Sequence, residues 1–462
     1  MTVQAVLAGT AHEVRAALAA PPDWAEHRLE MIGAAIVGPG DVGVPVLLRA
    51  PAWEALAFEQ IGAKAIVLAG AAPSVPVTRR MLARAADAHM RIYLNEHGRR
   101  IRPLALDDVV GAPLGDVDWA RIRTRIAGKR VLITGGGGSI GGELARRVAT
   151  LGPARLTLLD SSEYNLFKIS LELRDAALAM ADIRDRAAIK RWFACEKPDI
   201  VFHTAALKQV PLVEQFPGEG VLTNVCGLRH VAEAARAAGA DLIFVSTDKA
   251  VDPSGVMGAS KRLGELYCQA LDRGDGPRVI PVRLGNVLSS TGSVAPVFQA
   301  QFAAGGPLTV TDASVTRFFL SIRQAADVLL QAAAIGLNAD SPRGAALVID
   351  MGEAMPVVEL ARDIIRLNGL RPEKDVAITY VGMRPGEKLH EQLISASEEA
   401  VACGAPGVEA AISAPRGLAE LNEIMDRLAM LAAAGDDAAV SAGLFEALAL
   451  STPASVKAAA RA

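Results

Sequence analysis

Gly135, Gly138 and Gly141 stand in K-R-V-L-I-T-G-G-G-G-S-I-G-G-E-L (residues 129–144), between a short apolar run and an Ala/Leu/Arg-rich helical pattern. These types and this spacing suit a phosphate. Gly135 permits a tight turn, Gly138 lets a pyrophosphate approach the backbone, and Gly141 lets helix and strand pack closely. Unpaired N–H groups at the helix start, with the helix dipole, favour the negative charge. R-L-T-L-L-D at 155–160 reads as a second strand ending in an acid. Asp160 lies about 20 residues beyond the glycines, where a dinucleotide fold places the carboxylate that grips the adenosine ribose diol. A carboxylate there repels a 2′-phosphate, so NAD is expected rather than NADP. Glycine-rich turns also occur for purely structural reasons; the acid in register is what favours the dinucleotide.

The elements that must position these residues follow from hydrophobic periodicity. From 129 to about 285 strands and helices alternate regularly: after the Asp160 strand come a helical stretch, M-A-D-I at 180–183, and a helix around 187–195. A strand at 199–203 then opens into T-A-A-L-K, and a long helix around 221–238 leads to a strand at 242–247 ending in S-T-D-K. Ligands in open α/β sheets sit beyond the carboxyl ends of the strands. Residues 135–141, Asp160, Asp182, 204–206 and 247–249 are all expected on that edge.

Residues 1–100 form a second alternation. Strands are expected at 3–8, 31–37, 63–68 and 91–94, and helices at 13–20, 53–60 and 78–89. The first strand runs into A-G-T-A-H-E, which lacks the glycine spacing, so a structural or regulatory role is expected for this unit. The whole reads as an α/β protein. A doubly wound parallel-sheet Rossmann domain over 129–400 carries a smaller substrate-capping portion near 286–400. A smaller Rossmann-like α/β domain over 1–110 and a linker over 111–128 precede it, and an Ala-rich helical tail over 401–462 follows.

Composition narrows the partners. The 462 residues carry a formal net charge of −3 and only 4% aromatic residues, which leaves neither a basic surface nor stacking platforms for nucleic acid. Four scattered cysteines (195, 226, 268, 403) form no C-x-x-C and lie near no histidine pair, so neither disulfides nor a metal site is expected, and the cytoplasm fits. No apolar run reaches the ~18–20 residues that span a bilayer.

Several stretches resemble a known group. They are residues 134–144, H-T-A-A-L-K-Q-V-P-L-V-E (203–214), S-T-D-K-A-V (246–251), V-M-G-A-S-K-R (256–262), V-R-L-G-N-V-L (282–288) and R-P-G-E-K-L (384–389). Together they resemble the extended short-chain dehydrogenase/reductase superfamily. More narrowly, they resemble the polysaccharide-biosynthesis nucleotide-sugar 4,6-dehydratases that act on UDP-N-acetylglucosamine. Many long members carry membrane helices ahead of the N-terminal unit; none is expected in this chain. The resemblance implies an internal redox reaction: hydride passes from sugar C4 to NAD, water is lost across C5–C6, and hydride returns to C6. A homo-oligomer, dimer or larger, is expected.

The roles of individual residues are implied by the same resemblance. Most short-chain dehydrogenases use Tyr-x-x-x-Lys; here Lys261 is present and Met257, which cannot transfer a proton, holds the tyrosine position. Some 4,6-dehydratases carry methionine there too, which implies an active enzyme with Lys261 on the nicotinamide ribose. The C4 hydroxyl proton must then leave through another group, Thr247 or a water. Thr247 partners the C4 oxygen, Asp248 protonates the departing C6 hydroxyl, and Lys249 is the C5 base, which requires burial or a neighbouring cation to lower its pKa. For the cofactor, Ser139 and Ile140 meet the pyrophosphate beside Gly135, Gly138 and Gly141. Asp160 holds the ribose, Asp182 and Ile183 flank adenine, and Ala205 and Ala206 line the cofactor's path. For the sugar nucleotide, Asn286 and Val294 contact diphosphate and uridine, Arg317 and Arg384 pair with phosphate, Glu387 holds the uridine ribose, and Lys208 touches substrate. S-S-T-G-S-V at 289–294 departs from the pattern near an expected phosphate contact at Thr291. His203 is expected to be a buried packing residue. Two other readings stay open, a nucleotide-sugar epimerase and a non-catalytic nucleotide sensor.

Overall fold

The computed structural model describes residues 2–21, 23–96, 100–111 and 117–448. Parts of the expected linker (112–116) and the end of the expected tail (449–462) lie outside the described residues. Two compact units emerge. One comprises the chain up to residue 111 together with 294–315 and 355–382; the other comprises 112–293, 316–354 and the chain from 383.

The first unit is built on six strands: β1 (Val3–Thr10), β2 (Leu29–Val37), β3 (Val46–Ala50), β4 (Ala65–Leu68), β5 (Arg91–Glu96) and β6 (Arg100–Pro103). Their order is β3-β2-β1-β4-β5-β6, parallel except for β6. Buried residues alternate along the strands: Ala5 and Leu7 pack with Val14 and Ala17 of the helix Ala11–Ala19, and Val6 and Ala8 point the other way. Three local expectations are corrected. The helix expected at 53–60 is two short 3₁₀ turns, Trp53–Ala55 and Phe58–Gln60. β3 was not foreseen, and Arg100–Pro103, expected as irregular chain, adds the antiparallel edge through two closely spaced charged residues that mask its pattern.

The first unit also recruits distant chain. The helix Val357–Leu367 packs on the helix Val75–Asp87, where fully buried Asp363 meets Arg79 at 2.8 Å and Arg366 at 2.9 Å. Residues 308–310 pair in parallel with 378–380. A linear division at residue 110, with 286–400 as one capping portion, therefore differs from the grouping by contacts, which is discontinuous in sequence.

The second unit holds β7 (Arg130–Thr134), β8 (Arg155–Asp160), β9 (Ala177–Met180), β10 (Ile200–His203), β11 (Asp241–Thr247) and β12 (Val279–Leu284). These six run β9-β8-β7-β10-β11-β12, all parallel, and the sheet continues with Ala345–Ile349 and antiparallel Val408–Ile412 and Glu399–Ala402. Alternate residues feed two cores. Val131, Ile133 and Phe202 pack under the helices Ser139–Thr150 and Ile322–Gly336; Leu132 and Val201 pack under Leu228–Ala238 and Val256–Arg273. Two C-terminal helices, Leu418–Ala433 and Asp437–Ala447, cover the second core with Leu421, Met425, Leu428, Leu444 and Phe445. The sheet is doubly wound, and its switch point lies between β7 and β10, where the strand order reverses.

Candidate active site

At the carboxyl end of β7 the chain turns through Gly135, whose φ of +66° only glycine adopts without strain. A Cβ on Gly135 would lie 2.8 Å from the Ala205 nitrogen, and one on Gly141 only 2.1 Å from the Gly135 carbonyl oxygen. Both glycines are therefore sterically obligatory. Thr204 closes the corner, its Oγ1 donating to the Thr134 carbonyl at 2.7 Å. Gly138 precedes the helix Ser139–Thr150, and no side chain caps that helix. Its first-turn N–H groups have no intrahelical acceptor and remain suited to an anion. Ser139 meets the 289–293 loop: its Oγ accepts from the Thr291 N–H at 3.2 Å. Ile140 packs partly into the core beneath.

Asp160 ends β8 and is nearly buried, accepting from the Gly137 N–H at 3.1 Å and the Ser162 N–H at 2.9 Å. The glycine turn itself thus orients the carboxylate. β9 ends at Met180, so Asp182 and Ile183 lie just past its carboxyl end. Asp182 pairs with Arg184 at 2.9 Å, and Ile183 is buried against Gly227. Ala205 and Ala206 are half-buried in the chain leaving β10.

β11 delivers the most polar strand end. Thr247 Oγ1 donates to Asp248 Oδ1 at 2.8 Å, and Lys249 Nζ donates to the same oxygen at 3.0 Å and to Asn286 Oδ1 at 2.6 Å. Asp248 is fully buried, and its second oxygen has no hydrogen-bond partner among the described residues. Lys208, an exposed residue, reaches Ser290 Oγ at 3.0 Å. Enough protein surrounds its ammonium that desolvation, and secondarily the Lys249 charge, lower its pKa.

The helix Val256–Arg273 supplies the other half. Met257 is buried, and Lys261, one turn later, is buried too, donating to the Val245 carbonyl at 3.0 Å and lying 4.7 Å from the Phe244 ring centre. Burial pushes the Lys261 ammonium down to about 8. Keeping it charged costs about 3 kcal/mol, a penalty that hydrogen-bonding hydroxyls of a ligand would offset. His203 stacks on Phe244 and sits 2.7 Å from Thr134 Oγ1; burial, then the Lys261 charge, take its pKa down to about 3, so it stays neutral as a packing residue.

The expected sugar-nucleotide residues scatter more. Arg317 is buried, three of its five N–H groups donating to the carbonyls of Thr316, Lys388 and Leu389 at 2.7, 2.8 and 3.1 Å. Arg384 is exposed, its backbone N–H donating to Glu387 Oε2 at 3.4 Å. Val294 opens the helix Val294–Ala303, which groups with the first unit.

Three features escaped the sequence reading. Asn224 lies in a π-turn, Leu222–Gly227, and brackets Leu207 by accepting from its N–H and donating to its carbonyl, both at 2.9 Å, while also donating to Ser260 Oγ. A lone amide in V-L-T-N-V-C-G was the available signal. Beneath S-T-D-K, fully buried Arg283 forks onto Glu265 and Glu398, Arg262 joins both, and Ser246 Oγ donates to Glu265 at 2.7 Å. Burial alone would raise the Glu398 pKa, but Arg283 and Arg262 hold it well below the usual carboxylate range. A charge inside the otherwise apolar V-I-P-V-R-L announced this cluster. The third is Glu214, the last residue of H-T-A-A-L-K-Q-V-P-L-V-E, whose partner Val256 lies 42 residues further along the chain.

A doubly wound parallel sheet with an uncapped glycine turn at its switch point and an acid held by that turn at the end of the next strand defines a Rossmann fold. Residues 131–411 match the family model described as polysaccharide biosynthesis protein, and the chain belongs to that family. It is 38% identical over 307 residues to the capsular polysaccharide biosynthesis protein CapD of Staphylococcus aureus, covering 64% of this chain and 50% of CapD. The chain thus spans about half the length of that relative. It is also 34% identical over 284 residues to a UDP-glucose 4-epimerase of Rickettsia typhi, covering 59% of this chain and 80% of that enzyme. Among solved structures, Pen from Bacillus thuringiensis superposes with a TM-score of 0.56 at 30% identity, covering 62% of this chain and 87% of Pen.

Proposed function

We propose that this chain is an NAD-dependent nucleotide-sugar 4,6-dehydratase that converts UDP-N-acetylglucosamine to a UDP-4-keto-6-deoxy sugar for surface polysaccharide or glycan synthesis. The observation that carries this reading is the strand end where Lys249 bridges Asp248 and Asn286 while methionine holds the tyrosine position. The cofactor pocket fits NAD: a Cβ would fill the cradle at Gly135 and Gly141, and Asp160 is held by the turn itself. NAD, when bound, supplies hydride acceptance from C4 and hydride return at C6.

The chain's own residues do the rest. Gly138, Ser139 and Ile140 bind the pyrophosphate through the helix start, Asp160 takes the ribose, and Asp182 and Ile183 flank adenine past Ala205 and Ala206. Lys261 donates to the nicotinamide ribose. Thr247 hydrogen-bonds the C4 oxygen and relays its proton, directly or through a water, to Asp248, which its Oγ1 already contacts, because Met257 cannot accept a proton. Lys249 takes the C5 proton, and Asp248, with one oxygen unpartnered in a buried site, gives a proton to the leaving C6 hydroxyl. Asn286, Lys208, Arg384 and Glu387 bind the sugar nucleotide. Arg317 serves by holding 388–389 in place rather than by pairing with phosphate. We place the reaction in the cytoplasm: all four cysteines are free, and no described helix is long and apolar enough to cross a membrane.

The epimerase relative supports a second reading, nucleotide-sugar epimerisation. Met257 weighs against a simple C4 epimerase, which needs a proton-transferring side chain at that position. Mass spectrometry of UDP-N-acetylglucosamine incubated with the protein decides between them. A product lighter by one water is expected; an isomer of unchanged mass would give the epimerase, and no conversion would leave the nucleotide sensor.

A further inference from the structure

The helix that carries Met257 and Lys261 begins at Gly255, which has no side chain to cap it. Its first N–H groups need acceptors from elsewhere. Glu214, from the helix Val210–Gln215, provides one: its Oε1 accepts from the Val256 N–H at 2.5 Å. Two glycines make room for that carboxylate. A Cβ on Gly255 would sit 2.5 Å from Glu214 Oε1, and a Cβ on Gly386 would sit 2.9 Å from it. The segments around Gly255 and Gly386 are stitched together beside it, Ser254 Oγ donating to the Gly386 carbonyl at 3.0 Å and Lys388 Nζ to the Val251 carbonyl at 2.6 Å. Glu214, Lys249, Met257 and Lys388 line one small cavity. Glu214 makes no ion pair among the described residues, and burial raises its pKa. A half-buried carboxylate without a counter-ion is costly, and it is placed where the helix dipole favours it.

We propose that Glu214 is a positioning residue that locks the first turn of the Val256–Arg273 helix to the R-P-G-E-K segment, so that Met257 and Lys261 are aligned when the sugar nucleotide is held. Glu214 touches no reacting atom; it acts through the helix it anchors. The kinetic part of this inference rests on the dehydratase reading, and the anchoring part does not.

The test uses the full chain with bound NAD, as wild type, Glu214→Ala and Glu214→Gln. In Glu214→Ala, hydrogen exchange should quicken in peptides covering 254–262 and 384–390 and nowhere else, with NAD content unchanged. Turnover of UDP-N-acetylglucosamine should fall at least about tenfold in kcat with less than about threefold change in KM, as expected for a misaligned catalytic helix. Glu214→Gln, which keeps an acceptor oxygen, should stay within about threefold of wild type. Unchanged exchange at 254–262, unchanged kcat, or a loss of NAD with exchange rising across the whole chain would each overturn the proposal. If wild type itself converts no substrate, the functional reading fails, while the exchange pattern still decides the anchoring role.

Discussion

The sheet of the first unit and the six leading strands of the second run in the same order, the first closing with an antiparallel edge and the second fully parallel to β12. Their first turns are opposites. After β7 the glycines leave the helix start uncapped. After β1, Thr10 and Glu13 form a capping box: Glu13 Oε2 accepts from both the Thr10 N–H and Thr10 Oγ1 at 2.8 Å, and Thr10 Oγ1 accepts from the Glu13 N–H. The Glu13 carboxylate fills the switch point so closely that a Cβ on Gly70 would lie 2.3 Å from it. An anion meets amides in one turn and a resident carboxylate in the other. Strand order builds a crevice, and the few residues of the first turn decide what it accepts.

The sharpest way to break this comparison is to damage matching glycines. Gly141→Ala drives a Cβ into the Gly135 carbonyl and should reduce NAD content, measured on the purified protein, by about 100-fold. A Cβ from Gly9→Ala would lie 3.1 Å from Ala69 Cβ and 3.2 Å from the Glu13 carboxylate, and the variant should leave NAD content unchanged. Equal losses would mean that both crevices bind the cofactor.

Chemistry should be confined to the second unit as well. On the dehydratase reading, Lys249→Met is expected to lower dehydration about 1,000-fold while NAD stays bound, because it would remove the C5 base and nothing from the glycine turn. Full activity in that variant would remove Lys249 from the mechanism. A smaller effect is expected at Asp160→Ala: NAD binding, followed by calorimetry, should weaken about tenfold, and the preference over NADP should narrow. The least effect belongs to the first unit. Glu13→Ala should cost about 1 kcal/mol of its stability, read by denaturant titration, and should add no NAD binding. A second equivalent of NAD in that variant would show that the carboxylate alone had kept the first crevice closed.

Much of the second unit was legible because its signals are local. The glycine spacing, the acid closing R-L-T-L-L-D and the S-T-D-K strand end each lie within a few residues, and the structure brings them to one sheet edge. The first unit was read less well where the chain departs from simple periods. Short 3₁₀ turns replaced the helix expected at 53–60, and a strand of charged arginines flanking Ile101 closed the sheet. Asn224, Arg283 and Glu214 went unread because their partners lie far along the chain.

By itself the sequence determined the two α/β alternations, the glycine turn and the acid that faces it, because backbone sterics and strand periodicity act over a few residues. Only the tertiary structure decided that Glu398 answers Arg283 and that Arg317 reaches the carbonyls of Lys388 and Leu389. It alone decided, too, that residues 355–382 join the first unit. A buried charge must find its partner wherever packing places one, and distance along the chain says nothing about where that is.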